Sequence, residues 1–258
     1  LTVSLTSMIS VAAKLRRLHC FGETRDGEWV VRPRRERANR LAESWGRWPP
    51  DYAYWMAMRW LPSASSTWVD NSLHGGEHRN RDLLKRILRE RGDDAAWDEL
   101  KRDYEAQSTA WREWTEAQTH YLSALTDALQ HRMVGPRALE VGTGTGEASP
   151  KVAQRADRFV ASDVSRGMIH SYAHRFPLVV ADVRALPFAS GSFDTVVGLN
   201  CVPGFREFNR VLSRNGAILL VESFAEHTPL HVPPEVTASS LGRGWDVTAR
   251  RVAAGQWV

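Results

Sequence analysis

Ala138-Leu139-Glu140-Val141-Gly142-Thr143-Gly144-Thr145-Gly146-Glu147 is a short apolar run that breaks into an acid and three glycines at alternate positions. It reads as a buried strand, a glycine turn and the start of a helix. Such a turn gathers backbone N–H groups at one point, and glycine lets a ligand come close because it has no Cβ and tolerates positive φ. A dinucleotide fingerprint requires G-x-G-x-x-G with a third glycine closing helix on strand. Here the glycines fall at 142, 144 and 146, and position 147 is Glu. A carboxylate facing a diphosphate would be repelled, so NAD and FAD are the weaker fit.

The downstream segments repeat the pattern of strand ending on an acid. Arg158–Asp163 reads as a second buried strand, with Ser165 as N-cap of a helix expected to run to about His174. Asp163 falls about twenty residues past the glycines, the length of a βαβ unit that returns the chain to the same sheet edge, where a carboxylate can accept two ribose hydroxyls. Leu178–Val183 is a third strand ending in Asp182-Val183, an acceptor beside an apolar wall that suits adenine. Asp194 opens a fourth strand and reads as structural, tying neighbouring backbone N–H groups. Asn200 and Cys201 close that strand, at the carboxyl edge where open α/β sheets bind ligands. Arg206–Gly216 reads as a short amphipathic helix with an Asn215-Gly216 stop, followed by the strand Ala217–Glu222.

With Leu186-Pro187-Phe188, Gly191-Ser192-Phe193-Asp194 and Arg210-Val211-Leu212, this order resembles the class I S-adenosylmethionine-dependent methyltransferases, in their small-molecule branch that includes the ubiquinone and menaquinone enzymes. The resemblance is strong over about residues 136 to 225. It implies a seven-stranded, mostly parallel Rossmann-like α/β sheet with helices on both faces, and S-adenosylmethionine as cofactor with S-adenosylhomocysteine as product. Onto this chain it carries Glu140, Gly142, Thr143, Gly144, Gly146, Asp163, Val164, Met168, Asp182, Val183 and Asn200 as cofactor-binding positions. No metal is expected. The loop between Asn200 and Arg206 is shorter than in many relatives, so a substrate loop there is not assumed.

Upstream, Leu83, Leu84, Ile87 and Leu88 mark one helix face before Gly92-Asp93. From Asp94 nearly forty residues pass without Pro or Gly, one long helix or two that break near Gln107-Ser108. In the resembled family the helix before the first strand covers the cofactor and walls the substrate site. That places Tyr104, Trp111 and Trp114 as substrate or cover residues, with packing against the sheet as the equal alternative.

Residues 1–100 read as a tryptophan-rich, mainly helical extension, and 101–258 as the methyltransferase domain. Nine of eleven tryptophans fall at or before Trp114, so the simplest role for most of them is the core of a small helical module. The downstream end reads as a loop with a short helix over 224–240, then two strands, Trp245–Val252 and Gln256–Val258, in a hairpin through Ala254-Gly255. The chain is expected to stop inside that last strand, with a few native residues beyond it.

Composition fits an enzyme of this type. In 258 residues, 43% hydrophobic and 25% charged is ordinary globular usage. No apolar run approaches the length of a membrane helix. Lys14, Arg16 and Arg17 stand on the wrong side of the first apolar stretch for a secretory signal, so a cytoplasmic location is expected. Two cysteines make no disulfide framework. Residues 1–135 hold 21 Lys and Arg against 19 Asp and Glu, and the rest 13 against 11, so neither half is a basic module. That argues against a nucleic-acid partner, and the Arg32–Arg40 cluster reads as a solvated face.

Methyl transfer demands alignment and exclusion of water rather than a protein nucleophile. A hydroxyl acceptor would benefit from a base, and His74, His78, His120, His131, His227 and His231 are undifferentiated candidates. Asn200-Cys201-Val202-Pro203 lacks the N-P-P-Y form associated with amino-group methylation. A small organic acceptor is the expectation; methylation of RNA or another macromolecule, and cofactor binding without catalysis, stand as rivals. Oligomeric state, acceptor identity and catalytic residues are not legible.

Overall fold

The computed structural model describes residues 20–23, 29–32, 79–89, 93–242 and 244–258. The chain divides into two compact units, Leu1–Ser66 with Val232–Arg250, and Thr67–His231 with Arg251–Val258. This division differs from the expected boundary at residue 100.

In the first unit, β1 (Cys20–Glu23) pairs antiparallel with β2 (Trp29–Arg32), in register Cys20 with Arg32, and β2 pairs antiparallel with the first part of β8 (Val247–Val252). These two short strands lie within the extension expected to be mainly helical; most of residues 1–78, including the five tryptophans besides Trp29, lie outside the described residues. The expected short helix after the fifth sheet strand is Pro234–Leu241, which starts on a proline whose missing N–H costs a first turn nothing.

The second unit runs through α1 (Arg79–Arg89), α2 (Asp94–Gln107), α3 (Trp111–Ala117), α4 (Ser123–His131), β3 (Arg137–Val141), α5 (Ser149–Ala153), β4 (Arg158–Asp163), α6 (Arg166–His170), β5 (Leu178–Val180), β6 (Phe193–Leu199), α7 (Phe205–Val211), β7 (Leu212–Glu222) and β9 (Gly255–Trp257). Its strands lie in the order β9-β7-β6-β3-β4-β5. The five inner strands are parallel and β9 runs antiparallel to β7, with Val221 opposite Trp257. β8, whose residues 251–252 turn back into β9, is the seventh strand of the expected mostly parallel sheet. The turn is Ala253-Ala254, not Ala254-Gly255; Gly255 already belongs to β9, where a Cβ would stand 2.4 Å from the Glu222 carbonyl.

β3 and β6 are buried on both faces, as their runs of Val, Leu and Ala require. The chain winds from β3 outward through β4 and β5, then returns to β3's other side for β6 and β7. The reversal opens a crevice beyond the carboxyl ends of β3, β4 and β6. On one face α4 buries Ala124, Leu125, Ala128 and Leu129 against a core containing Phe159, Val197, Leu219 and Trp257.

Three sequence boundaries shift. The long helical stretch forms three helices, α2 to α4. The first break is at Gln107-Ser108, where the Ser108 hydroxyl donates to the Glu105 carbonyl at 2.8 Å and closes α2. The second, at 118–122, was not expected. The helix after β4 stops at His170 rather than about His174, its last turn tied through Arg112, which donates to the Ser171 carbonyl at 2.7 Å. The helix after β6 ends at Val211, and 213–216 form a bulge between the pairs Phe193–Leu212 and Thr195–Ala217. Ser213 pins that bulge by donating to Asp194 Oδ1 at 2.9 Å.

Candidate functional site

The glycine turn sits at the crevice, and each glycine is needed for its own reason. All three lie in the left-handed region, with φ 62° at Gly142, 57° at Gly144 and 95° at Gly146. A Cβ at Gly142 would stand 2.5 Å from Cβ of Cys201, the residue after β6 and its Asn200 turn. At Gly146 it would strike the Tyr172 ring at 2.6 Å. At Gly144 it would crowd Trp111 Nε1 at 3.3 Å, across the space that both residues line.

That space is an open-mouthed cavity, about 860 Å³ when the solvent at its mouth is counted. On its sheet side it is lined by Glu140, Gly142, Thr143, Gly144, Asp163, Val164, Met168, Val183 and Asn200. Nine of the eleven expected cofactor positions therefore meet at one cavity. Gly146 packs behind it on Tyr172. Asp182 is also off its lining: its carboxylate accepts the Trp97 indole N–H at 3.0 Å and bonds Arg184. Burial alone would push Asp182 up, but the Arg184 guanidinium and N–H hold it below the usual carboxylate range.

Asp163 is held by the turn it faces. Its Oδ2 accepts the Gly144 N–H and its Oδ1 the Ser165 N–H, each at 2.8 Å. Burial still pushes its pKa up. Glu140 is 1% exposed and accepts from the Ser149 hydroxyl at 2.6 Å. Burial raises its carboxyl to about 7, with the Ser149 and Thr143 hydroxyls opposing and Glu147 and Asp163 adding to the rise. The cavity thus holds Glu140, Glu147 and Asp163 against one cation, Lys101, which is paired with Asp98 at 2.6 Å. Such a lining favours a ligand that brings positive charge and hydrogen-bond donors. Burial pushes the Cys201 thiol up to about 12, so it stays neutral.

The opposite wall comes from α2 and α3. Tyr104 and Trp111 line the cavity and meet edge to face at 5.5 Å. Trp114 does not line it; its ring packs on Trp111, Tyr121 and Phe224, the packing alternative for this residue. The wall is fastened at three points. Trp97 bonds Asp182, with Arg184 stacked 4.7 Å over its ring. Glu105 caps α6, accepting from Ser165 Oγ at 2.6 Å and Gly167 N–H at 2.9 Å. Arg112 donates to the Thr145 and Ser171 carbonyls at 2.9 and 2.7 Å.

Sequence reasoning missed Trp97, Leu100, Tyr121, Val202 and Leu230 in the lining. Trp97, Leu100 and Tyr104 follow one helical stripe, which is the signal that could have added the first two. Of the described histidines considered as bases, His120, His131, His227 and His231, none lines the cavity, and His231 is buried with Nδ1 2.6 Å from Glu222; His74 and His78 lie outside the described residues. Asp194 is structural as expected, accepting from Arg137 N–H and guanidinium. No helix among the described residues is long and apolar enough to cross a membrane.

Residues 138–216 match the family model for a methyltransferase domain. The chain is similar to a demethylmenaquinone methyltransferase of Corynebacterium urealyticum, 36% identical over 34% of this chain and 42% of the relative. A demethylmenaquinone methyltransferase of Beutenbergia cavernae is 38% identical over 43% and 49%. A malonyl-[acyl-carrier protein] O-methyltransferase of Legionella pneumophila is 28% identical over 47% and 48%. The chain spans about half the length, or less, of these curated relatives. With the parallel sheet, its switch-point crevice and the acid-ended strands, residues 138–216 carry a methyltransferase domain, and they resemble the class I S-adenosylmethionine-dependent methyltransferases of the ubiquinone and menaquinone type.

Proposed function

We propose that the protein transfers a methyl group from S-adenosylmethionine to a small organic acceptor bound between the carboxyl edge of the sheet and the α2–α3 wall. The observation that carries this reading is the one cavity that joins the open face of Gly144, the Asp163 carboxylate and three acids with an aromatic cover. The fit rests on chemistry present in the chain: a Cβ on Gly144 would crowd Trp111, so the glycine keeps the turn clear there, and two buried carboxyls gain by meeting a cation or donors. When bound, the cofactor supplies an electrophilic methyl on a sulfonium.

Each lining group then has a task. Asp163 uses its remaining lone pairs for the ribose hydroxyls while the Gly144 and Ser165 N–H groups hold it in place. Glu140 and Glu147 face the amino acid end with negative charge. Val164, Met168, Ala181 and Val183 give the adenine apolar walls, and Asp182 acts through Trp97, which it holds at the rim. Gly142 and Thr143 let the turn approach closely. Asn200 stands at the reacting end, and Tyr104 and Trp111 exclude water from it.

The names of the relatives, a quinone-pathway enzyme and an O-methyltransferase of an acyl carrier conjugate, support a small organic acceptor. The test is transfer of labelled methyl from S-adenosylmethionine into a metabolite extract set against an RNA pool. Label in the small-molecule fraction is expected. Label confined to RNA, or bound cofactor with no transfer to either, overturns the reading.

A further inference from the structure

Resting on that reading, we propose that Tyr121 orients the methyl acceptor, its hydroxyl proton donated to an oxygen or other lone-pair atom of the substrate beside the reacting carbon. Tyr121 lies in the unexpected break between α3 and α4 and lines the cavity with Asn200. Leaving the helix at 118–122 brings its side chain to this wall. The ring is 6% exposed and fixed by Trp114 at 6.0 Å and Phe224 at 6.3 Å.

Asn200, beside Tyr121 in the lining, is fixed by its own hydrogen bonds. Ser223 N–H donates to Asn200 Oδ1 at 2.8 Å, so this amide cannot be flipped without losing the bond. Asn200 Nδ2 donates to Ser223 Oγ at 2.8 Å, and Ser223 Oγ donates its own proton to the Tyr121 carbonyl at 2.6 Å. Tyr121 is thereby held through its backbone, and no hydrogen bond among the described residues takes its O–H proton, which remains to be given to a ligand. Asn200 holds φ 50°, a conformation uncommon for a non-glycine residue, kept by these bonds to Ser223.

Burial pushes the phenol up, so Tyr121 keeps its proton and serves as a donor rather than a base. The acceptor class this selects is an organic molecule carrying an oxygen with a free lone pair near the atom to be methylated.

The experiment compares wild type, Tyr121→Phe, Ser223→Ala and the double variant. S-adenosylmethionine affinity is measured by titration, and initial rates of labelled methyl transfer are measured over dilutions of the metabolite extract. Tyr121→Phe is expected to bind the cofactor as wild type does and to lose about tenfold to a hundredfold in the rate at limiting extract, the effect of one buried donor. Ser223→Ala is expected to lose less, and the double variant no more than Tyr121→Phe, because Ser223 acts by holding Tyr121 in place through its carbonyl. Full transfer by Tyr121→Phe, an equal loss of cofactor affinity, or additive losses would overturn the proposal. Wild type that binds cofactor and labels nothing overturns the transfer reading and this inference together; wild type that labels the extract with Tyr121→Phe unimpaired overturns this inference alone.

Discussion

Gly142→Ala tests whether the glycine turn is built by steric contact with the end of β6. The substitution forces alanine into φ 62°, at a cost of about 1–2 kcal/mol for a left-handed Cβ. It also drives that Cβ to within 2.5 Å of the Cys201 Cβ, an overpacking that costs about 1–3 kcal/mol. Together these destabilise the fold by about 2–5 kcal/mol. Gly144→Ala bears the same backbone cost, but its nearest atom is Trp111 Nε1 at 3.3 Å, so it should lose only about 1–2 kcal/mol. Cys201→Gly removes the atom in the way, so in a double-mutant cycle it should recover the packing part of the Gly142→Ala loss and leave the backbone part. Urea denaturation followed by two spectroscopic probes measures each step, with unchanged m-values as the sign that stability alone has moved. Equal losses for Gly142→Ala and Gly144→Ala, or no coupling to Cys201→Gly, would refute the steric account of the turn.

Other predictions concern charge and the wall. Glu140 titrates near 7 in the folded chain against about 4.5 unfolded, so its contribution to stability is complete below the unfolded value and is lost as pH rises through 7, on the order of 3 kcal/mol. Glu140→Gln should remove that part of the pH dependence of unfolding, and in wild type S-adenosylmethionine should bind more tightly at pH 8 than at pH 6 because ionised Glu140 gains the cation; a flat affinity across that range would contradict the assignment. Asp194 is held down at about 2, chiefly by the Arg137 guanidinium, so its stabilisation is present above its ordinary value and is lost as pH falls through 2. Asp194→Asn should therefore leave less to lose on acidification, seen as a shallower acid-unfolding curve and lower stability at neutral pH. Trp97→Phe keeps an aromatic ring but deletes the donor to Asp182 and leaves a void at a buried position; it should weaken cofactor binding severalfold and lower the melting temperature, and an unchanged affinity would remove Trp97 from the site.

The parallel core was legible because each strand announces itself twice, by an apolar run and by the acid or Asn that ends it at the ligand edge. Asp163, Asn200 and the glycines could be placed on one crevice from spacing, since a βαβ unit leaves little freedom in where its strand ends fall. What could not be read was set by tertiary contact. The turn at 118–122 has no Gly or Pro to mark it, and it breaks a helical pattern to deliver Tyr121 to the wall. Asp182 has the right position for a base acceptor, but Arg184 two residues on and Trp97 from a distant helix engage its carboxylate. Trp114 and Trp111 share a composition and a helix, yet the helix turns one to the cavity and the other to Phe224 and Tyr121. The strands at 20–23 and 29–32 are short; they pair with each other, and the second finds its other partner, β8, more than 200 residues along the sequence, a pairing that no local pattern reports.

The most direct measurement is calorimetric titration of the chain with S-adenosylmethionine, for wild type and for Asp163→Ala. The account predicts saturable binding at one site per chain, weakened about tenfold or more when the ribose-facing carboxylate and its bond to the Gly144 N–H are removed. Absence of binding by wild type, or binding that Asp163→Ala leaves untouched, would contradict it.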